Sequence, residues 1–243
     1  MTEPTGEMVV TGPEIWVVGI EPSGTEGARR RLGHGEDPVA VLRALGYDGT
    51  PRTVVGHPDP HVLEIVFDVV ANRTRTVPGL EMARGRDLGL FVGPDEVATV
   101  RQRPAAYAIV RSVRGLLFTQ FSALTSSEGF WGPAGGGLDP GEMPEPALHR
   151  EVWEETGQRV ELSGLVLVTS RHWVGRAPGG QLEDFHAVRL VYTATCPEPT
   201  DPVVHDVDGT TSAAAWVAQG ELGKLRLTPG WREMVMHVLG ETG

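Results

Sequence analysis

The sequence predicts an α/β protein that has a mixed-sheet domain in its C-terminal part and a small α+β unit before it. Two observations support this prediction. Short apolar, β-branched runs alternate with helix-like stretches along the 243 residues, and a polar, arginine-bearing connector at 95–103 separates two such series. We therefore expect a small α+β N-terminal domain at 1–103 and a second domain at 104–243.

The N-terminal domain is expected to combine strands with one helix. An apolar run at 14–20 and alternating apolar positions at 61–71 predict strands, and a further strand is expected at 87–92. A helix is expected at 38–45, because Asp37 followed by proline is a typical N-cap and first-turn pair. The domain offers no convergent acid, base or nucleophile, so we expect it to pack against the second domain without taking part in the chemistry.

The second domain has the order of strands and helices that is typical of a mixed α/β fold. Its strands are expected at 105–110, 116–121, 162–169, 185–196 and 213–217. A hairpin at Arg114 and Gly115 joins the first two strands, and a Gly-rich loop after the second strand leads into a helix. Thr228 followed by proline opens a last helix.

The charge and composition limit the partners that we expect. The 32 acidic residues outnumber the 21 basic residues, for a net charge of −11. A surface of this sign repels polyanions, so no nucleic acid is expected as a partner. A small phosphorylated substrate stays open, because a bound divalent cation reverses the local charge. The single cysteine, Cys196, excludes an intrachain disulfide, and no apolar run approaches the ~20 residues of a spanning helix. We therefore expect a cytoplasmic protein with no membrane partner.

The chemistry is predicted to lie in the Gly-rich loop and the helix at 135–157. Glycines at 135–137 allow the backbone to approach a ligand closely. At about 100° per residue, Glu151, Glu154 and Glu155 fall within one arc of the helix. Like charges at these spacings destabilise a helix unless a cation neutralises them, and Mg²⁺ prefers oxygen ligands. The alternative interpretation is an acidic helix face that is simply solvated.

The spacing of the glycines and charges resembles the Nudix box. The matching positions are Gly136, Glu142, Arg150, Glu151, Glu154, Glu155 and Gly157. The match covers about 23 residues and ends at Gln158, where the box usually has an apolar residue. It also departs upstream, where Pro133 is separated from the glycines by Ala134. The resemblance implies a Nudix-type α/β/α sandwich with a mixed sheet and a metal-dependent hydrolase that cleaves a diphosphate linkage.

The resemblance also implies a role for the residues of the box. The implied ligands of Mg²⁺ or Mn²⁺ are Glu151, Glu154, Glu155 and the main-chain carbonyl of Gly136. Glu151 and Glu154 are in addition the catalytic candidates within the helix. Arg150 would orient Glu151 through a salt bridge, and Glu142 would support the loop and the second shell of the metal.

Three residues outside the box are further candidates. A later acid often completes such sites in the family, and the loop after Pro197 offers Asp206 and Asp208 besides Glu198 and Asp201. Asp208 is the choice for a catalytic role, with an ordinary Asp-Gly turn as the alternative. Arg171 and Arg176 are candidates for binding substrate phosphates, with a solvated loop as the alternative.

The substrate is predicted only by class. The window at 173–176 shows neither the proline of ADP-ribose pyrophosphatases nor the tyrosine of dinucleoside polyphosphate hydrolases. A nucleoside triphosphate or another nucleoside diphosphate derivative is therefore the expected small-molecule substrate. The alternative function is a non-catalytic protein that senses a nucleotide on a Nudix scaffold, but the intact glutamates favour an enzyme. A transcription regulator is disfavoured because the first hundred residues show no basic helix-turn-helix pattern, and a homodimer is left open.

Overall fold

The computed structural model describes residues 11–59, 61–72, 80–87, 89–125, 127–177, 179–206 and 209–240. The first part of this chain contains, in order, β1 (Glu14–Ile20), β2 (Glu26–Arg31), α1 (Pro38–Ala44), β3 (Tyr47–Pro58) and β4 (His61–Ala71). The four strands form one sheet in the order β2-β1-β4-β3, in which β1 and β4 are parallel. The carboxylate of Asp37 caps α1 by accepting from the N–H groups of Val39 and Ala40 at 3.0 and 2.9 Å, as the sequence predicted.

The second part of the chain forms a larger mixed sheet with two α-helices. Its elements are β5 (Gly85–Arg86), β6 (Thr99–Ser112), β7 (Gly115–Phe121), β8 (Trp131–Gly132), β9 (Ala134–Gly137), α2 (Pro144–Thr156), β10 (Glu161–Arg176), β11 (Leu182–Thr195), β12 (Thr211–Val217), a 3₁₀ turn (Gln219–Lys224) and α3 (Pro229–Leu239). The strand order is β12-β7-β6-β11-β10-β5, with β8 beside β7 and β9 beside β6. The central pair, β6 and β11, is parallel, whereas β10 runs antiparallel to β11.

The two long helices lie on opposite faces of the larger sheet. Along β6, Ala106 and Ala108 belong to the apolar cluster that contains Leu148 of α2, whereas Ile109 belongs to the cluster that contains Val235 of α3. Neighbouring residues of a strand point to opposite faces, so each helix covers one face. This arrangement confirms the predicted α/β fold with a mixed sheet and an additional N-terminal sheet.

The N-terminal sheet packs on the larger sheet through a common core. One apolar cluster contains Val17, Leu42 and Phe67 from the first part of the chain together with Val188 and Leu190 of β11. All five side chains are essentially inaccessible to water. The two sheets therefore share buried apolar surface, and the removal of either sheet would expose the core of the other.

Two edge strands were not predicted from the sequence. β2 has the sequence EGARRR and buries only Ala28, so it lacks an apolar alternation. β3 contains Pro51 as well as Gly49 and Gly56, which are residues that the sequence pattern associates with turns. Both strands lie at the edges of the four-stranded sheet, where proline and glycine interrupt fewer hydrogen bonds.

The predictions for 87–103 are wrong in two respects. The described residues of 87–92 form no strand, because the chain turns there with Gly89 at a φ of 73°. The stretch predicted as a connector instead enters β6 at Thr99, which pairs with Glu183 of β11. The polar sequence fits this strand because Gln102 is buried between exposed Arg101 and Arg103. A boundary between 103 and 104 would fall inside β6.

No helix within the described ranges has both the length and the apolar character that a bilayer span requires.

Candidate active site

The Gly-rich loop brings the backbone against the acidic face of α2. β9 pairs with β6, so that Gly136 lies opposite Ala106. A Cβ atom at Gly136 would lie 2.6 Å from the carboxyl carbon of Glu151, which is closer than any real side chain allows. Glycine is therefore required for the main chain of residue 136 and the carboxylate of Glu151 to lie side by side.

The helix α2 begins and ends at the residues that the sequence indicated. Pro144 occupies the first turn, and Gly157 ends the helix in the left-handed conformation with a φ of 65°. Ala147, Leu148 and Val152 are buried against the sheet. Because these apolar residues fix the rotation of the helix, the acidic arc is held beside the Gly-rich loop.

Arg150 binds three carboxylates of the box at once. Its Nε and Nη2 atoms donate to the two carboxylate oxygens of Glu142 at 3.0 and 2.8 Å. Its Nη1 atom donates to Glu151 at 2.9 Å and to Glu154 at 3.0 Å. The hydrogen bonds from Arg150 are the main cause that lowers the pKa of Glu142. This is the geometry that the implied orienting role of Arg150 requires.

Glu155 is the buried member of the acidic arc. Its side chain accepts hydrogen bonds from the N–H of Gly135 at 2.9 Å and from the hydroxyl of Thr211 in β12. The residue is 5% exposed, and burial raises the pKa of Glu155 to about 8 despite these two donors. The metal-free protein therefore favours the neutral form of this acid at neutral pH.

Glu151 and Glu154 differ in their access to solvent. The Glu151 side chain is 17% exposed and the Glu154 side chain is 42% exposed. Burial raises the pKa of Glu151, against the opposing effect of Arg150. Glu154 is thus the carboxylate of the arc with the widest access to an incoming molecule.

The donor set of this site fits a hard divalent cation. Glu151 lies beside Gly136 and Glu155 accepts from Gly135 in the Gly-rich loop, while Glu154 shares Arg150 with Glu151. Carboxylate and carbonyl oxygens are the ligand types that Mg²⁺ prefers. The raised pKa values of Glu151 and Glu155 have burial as their main cause. Burial disfavours the ionised forms, and a bound cation would favour them.

Three arginines lie on the sheet face that α3 covers, and Arg103 among them lies against Gly137 of the Gly-rich loop. In the sheet register, Arg103 of β6 lies opposite Ala187 of β11, and Ala187 lies opposite Arg171 of β10. Residues paired in this way share a face, so Arg103 and Arg171 point to the same side. Arg189, two residues from Ala187, also lies on this face, with its guanidinium 4.8 Å from the ring of Trp231. Arg171 and Arg189 line a cleft of about 360 Å³ beside α3.

Arg176 lies elsewhere. Five residues beyond Arg171 along β10, it points to the opposite face of the strand. Its two terminal nitrogens bind the carboxylate of Glu96 at 2.7 and 2.8 Å, and they also donate to the carbonyls of Gly180 and Phe91. The guanidinium is therefore already occupied in joining two loops.

The acidic loop after β11 is docked on the end of α2. Asp208 itself lies outside the described residues, so its predicted role stays a prediction. The N–H groups of His205 and Asp206 donate to the carbonyl of Glu154 at 2.7 and 3.0 Å. The charge of Asp206 also contributes to the raised pKa of Glu155. This loop thus approaches the acidic arc from its C-terminal end.

His61 is a contact of the Nudix-box loop that the sequence did not reveal. It starts β4 in the N-terminal sheet, and its Nδ1 accepts from the N–H of Gly141 at 3.1 Å. Nε2 therefore carries the proton and donates to the carbonyl of Glu142 at 3.0 Å. His61 and Arg103 line a cleft of about 460 Å³ between the two parts of the chain. The spacing of residues 61 and 141 gives no local signal for this contact.

Comparison with known proteins identifies relatives of this architecture. A family model described as the NUDIX domain matches residues 101–238, which is more than half of the chain. The chain is 38% identical over 66 residues to nucleoside triphosphatase NudI of Salmonella schwarzengrund, covering 26% of this chain and 47% of the relative. It is 33% identical over 76 residues to RNA pyrophosphohydrolase of Roseobacter denitrificans, covering 31% and 47%. The chain thus spans just under half the length of these relatives.

Among solved structures, the chain resembles a MutT NUDIX hydrolase from Burkholderia pseudomallei. The two are 27% identical, and the match covers 56% of this chain and 98% of that chain with a TM-score of 0.43.

Proposed function

Because the chain belongs to the Nudix family, we propose that it is a Mg²⁺-dependent hydrolase that cleaves a diphosphate linkage. The substrate class in this proposal is a nucleoside triphosphate or another nucleoside diphosphate derivative. The observation that carries the proposal is the set of acids held by Arg150 beside the backbone of Gly136. The names of the two curated relatives, a nucleoside triphosphatase and an RNA pyrophosphohydrolase, fit this reaction class.

The metal would be held by Glu151, Glu154, Glu155 and the carbonyl of Gly136. When bound, Mg²⁺ or Mn²⁺ offsets the charge of the phosphates and makes a water molecule more acidic. Arg150 keeps Glu151 and Glu154 in fixed positions. Glu154 is our choice for accepting the proton of the attacking water, because it has the widest access to solvent.

The other residues of the box fix the site. Glu142 immobilises Arg150 through two hydrogen bonds and accepts from the N–H of Asp139 at 2.9 Å, which supports its role behind the ligands. We retain Asp208 as a further catalytic acid, since Asp206, two residues before it, lies at the end of α2. For the substrate phosphates we propose Arg171 and add Arg103. The ion pair of Arg176 with Glu96 makes Arg176 the weaker candidate.

The competing function is a nucleotide sensor without catalysis. A sensor needs no fixed set of metal-binding acids, whereas Arg150 here bonds to Glu142, Glu151 and Glu154. We therefore favour the enzyme. The net charge of −11 favours a small substrate over nucleic acid, and the single buried cysteine fits a cytoplasmic location.

We expect the full chain to hydrolyse at least one nucleotide only when Mg²⁺ or Mn²⁺ is present, and EDTA should abolish the reaction. Phosphate and pyrophosphate release should be measured with nucleoside triphosphates, ADP-ribose, dinucleoside polyphosphates, nucleotide sugars and a 5′-triphosphorylated RNA. Calorimetry with Mg²⁺ provides a readout that does not depend on turnover. Nucleotide binding without hydrolysis across the panel would support the sensor instead. Preference for the RNA would overturn the small-molecule substrate class.

We propose that the N-terminal sheet, β1 to β4, supports the hydrolase domain and is not itself catalytic. His61→Ala tests this role, because it removes both hydrogen bonds to the loop at Gly141 and Glu142. Loss of such supporting contacts typically weakens metal binding or activity by about 10- to 100-fold. We expect weaker Mg²⁺ binding and lower kcat with a nearly unchanged metal-free melting temperature. The matched control is His57→Ala, at an exposed position of β3. Equal kinetics for the two variants would contradict the supporting role.

A further inference from the structure

A second cluster of metal-binding side chains lies away from the Nudix box, where the two sheets meet. It consists of His34 in the loop between β2 and α1, His172 of β10 and Asp184 of β11. One donor atom from each residue lies within 4.8 Å of the other two. Two elements of the larger sheet and one loop of the N-terminal part thus converge on a single point.

The Nε2 atoms of both histidines point at the same carboxylate oxygen of Asp184. His34 Nε2 lies 3.1 Å from Asp184 Oδ1, and His172 Nε2 lies 2.6 Å from the same oxygen. A four-coordinate Zn²⁺ with ligand bonds of about 2.0–2.2 Å holds its donors roughly 3.3–3.6 Å apart. Small rotations of the three side chains would therefore admit the ion. Two imidazoles and one carboxylate suit Zn²⁺ far better than Mg²⁺, which prefers oxygen donors.

The surroundings hold these donors in place. The side chains of His34, His172 and Asp184 are only 7%, 12% and 12% exposed. The second carboxylate oxygen of Asp184 binds Arg84 at 2.7 Å, which leaves Oδ1 free to face the histidines and fixes the orientation of the carboxylate. Gly35 has a φ of 77°, and a Cβ there would lie 2.6 Å from the ring of His172. The loop is therefore packed against the cluster at a distance that only glycine permits.

One buried atom lacks a partner in this arrangement. The Nδ1 atom of His34 is buried and has no hydrogen-bond partner among the described residues. A cation bound at Nε2 would leave this atom unpaired as well, so the case for a metal rests on the Nε2 atoms. Both Nε2 atoms share one oxygen of Asp184, and a bound cation would replace this shared contact with a stronger interaction for each imidazole.

We propose that His34, His172 and Asp184 form a Zn²⁺ site that fastens the loop of the N-terminal sheet to β10 and β11. The site is separate from the Nudix box and does not rest on the proposed hydrolase function. Three protein ligands leave one coordination position for water or another donor. Because the ligands come from both parts of the chain, zinc binding would stabilise the contact between the two sheets.

The test uses the full chain after removal of metals with EDTA. Zn²⁺ is titrated by calorimetry in excess Mg²⁺, which occupies the carboxylates of the Nudix box, and Co²⁺ is used in parallel for its visible absorption. We expect one zinc-binding event per chain and a melting temperature raised by roughly 5–10 °C at a hundredfold excess over Kd. The Co²⁺ spectrum should indicate nitrogen donors in a four- or five-coordinate site.

Two ligand variants and one control decide the assignment. His34→Gln and Asp184→Asn should weaken Zn²⁺ binding by at least about ten-fold and remove the zinc-dependent rise in melting temperature. His57→Gln, at an exposed histidine outside the cluster, should behave as the wild type. Absence of stoichiometric zinc binding by the folded wild type, or unchanged binding by both ligand variants, would overturn the proposal. If the variants do not fold, a wild-type Co²⁺ spectrum that indicates only oxygen donors would also overturn the proposal. The cluster would then be a hydrogen-bonded contact only.

Discussion

Replacing Glu154 with glutamine is expected to lower kcat by roughly two or more orders of magnitude on the identified substrate. Loss of a metal ligand or of a group that activates water typically removes several kcal/mol of transition-state stabilisation. Glutamine keeps the volume of the side chain and can still accept from Arg150 Nη1, which now lies 3.0 Å from Glu154. The variant therefore removes a charge and keeps the shape of the site unchanged.

The stability of the metal-free protein should hardly change in this variant. Glu154 is 42% exposed and its ion pair with Arg150 is shared with Glu151, so the loss of the pair and the relief of repulsion nearly cancel. Kinetics and metal-free melting temperature are measured on the same preparation. Glu145→Gln provides the control, since it removes one exposed charge from the first turn of the same helix. Unchanged turnover in Glu154→Gln would rule out the catalytic assignment.

Replacing Glu155 with glutamine is expected to stabilise the metal-free protein at alkaline pH while it impairs turnover. The pKa of Glu155 rises from 4.5 to about 8 on folding, mainly because the side chain is buried. A raised folded-state pKa gives stability that is complete below the unfolded value and is lost as the pH rises through about 8. Between pH 6.5 and 8.5 we expect the wild type to lose about 2 kcal/mol of unfolding free energy through this group.

Urea unfolding in EDTA across this pH range measures the effect. His186, whose pKa is lowered to about 3 by burial, adds a small opposite slope near its unfolded value of about 6.5, and the wild type and both variants share this slope. Glu155→Gln should show a flatter profile and should bind Mg²⁺ more weakly. Glu145→Gln should retain the slope of the wild type. A wild-type profile without slope would mean that Glu155 is ionised in the folded protein, contrary to its burial.

The box was predictable because its signal is local. Arg150, Glu151, Glu154 and Glu155 lie within two turns of one helix, so their spacing in the sequence fixes their relative positions. Gly136 could be placed beside them because the spacing of the box includes it. β1 and α3 were also predicted, because each shows a strong apolar pattern within a short stretch of the sequence.

The partners of the box that come from distant strands were not predictable in the same way. Thr211 and Gly135 reach Glu155 only after the sheet has assembled. His61 follows Pro60 in the sequence, and nothing local indicates that its ring meets a loop 80 residues later. The position of His34 beside β10 and β11 likewise depends on how the two sheets pack, which the periodicity of a single strand cannot specify.

The pairing of Arg150 with three acids leaves a net negative charge beside the Gly-rich loop. Glu142, Glu151 and Glu154 carry three formal negative charges and Arg150 carries one positive charge, which leaves a formal charge of −2 while Glu155 is neutral. A divalent cation would offset this charge. Because the cation would also favour the ionised form of Glu155, its binding would release a proton, and the affinity for the metal should rise with pH until Glu155 is ionised in the metal-free protein.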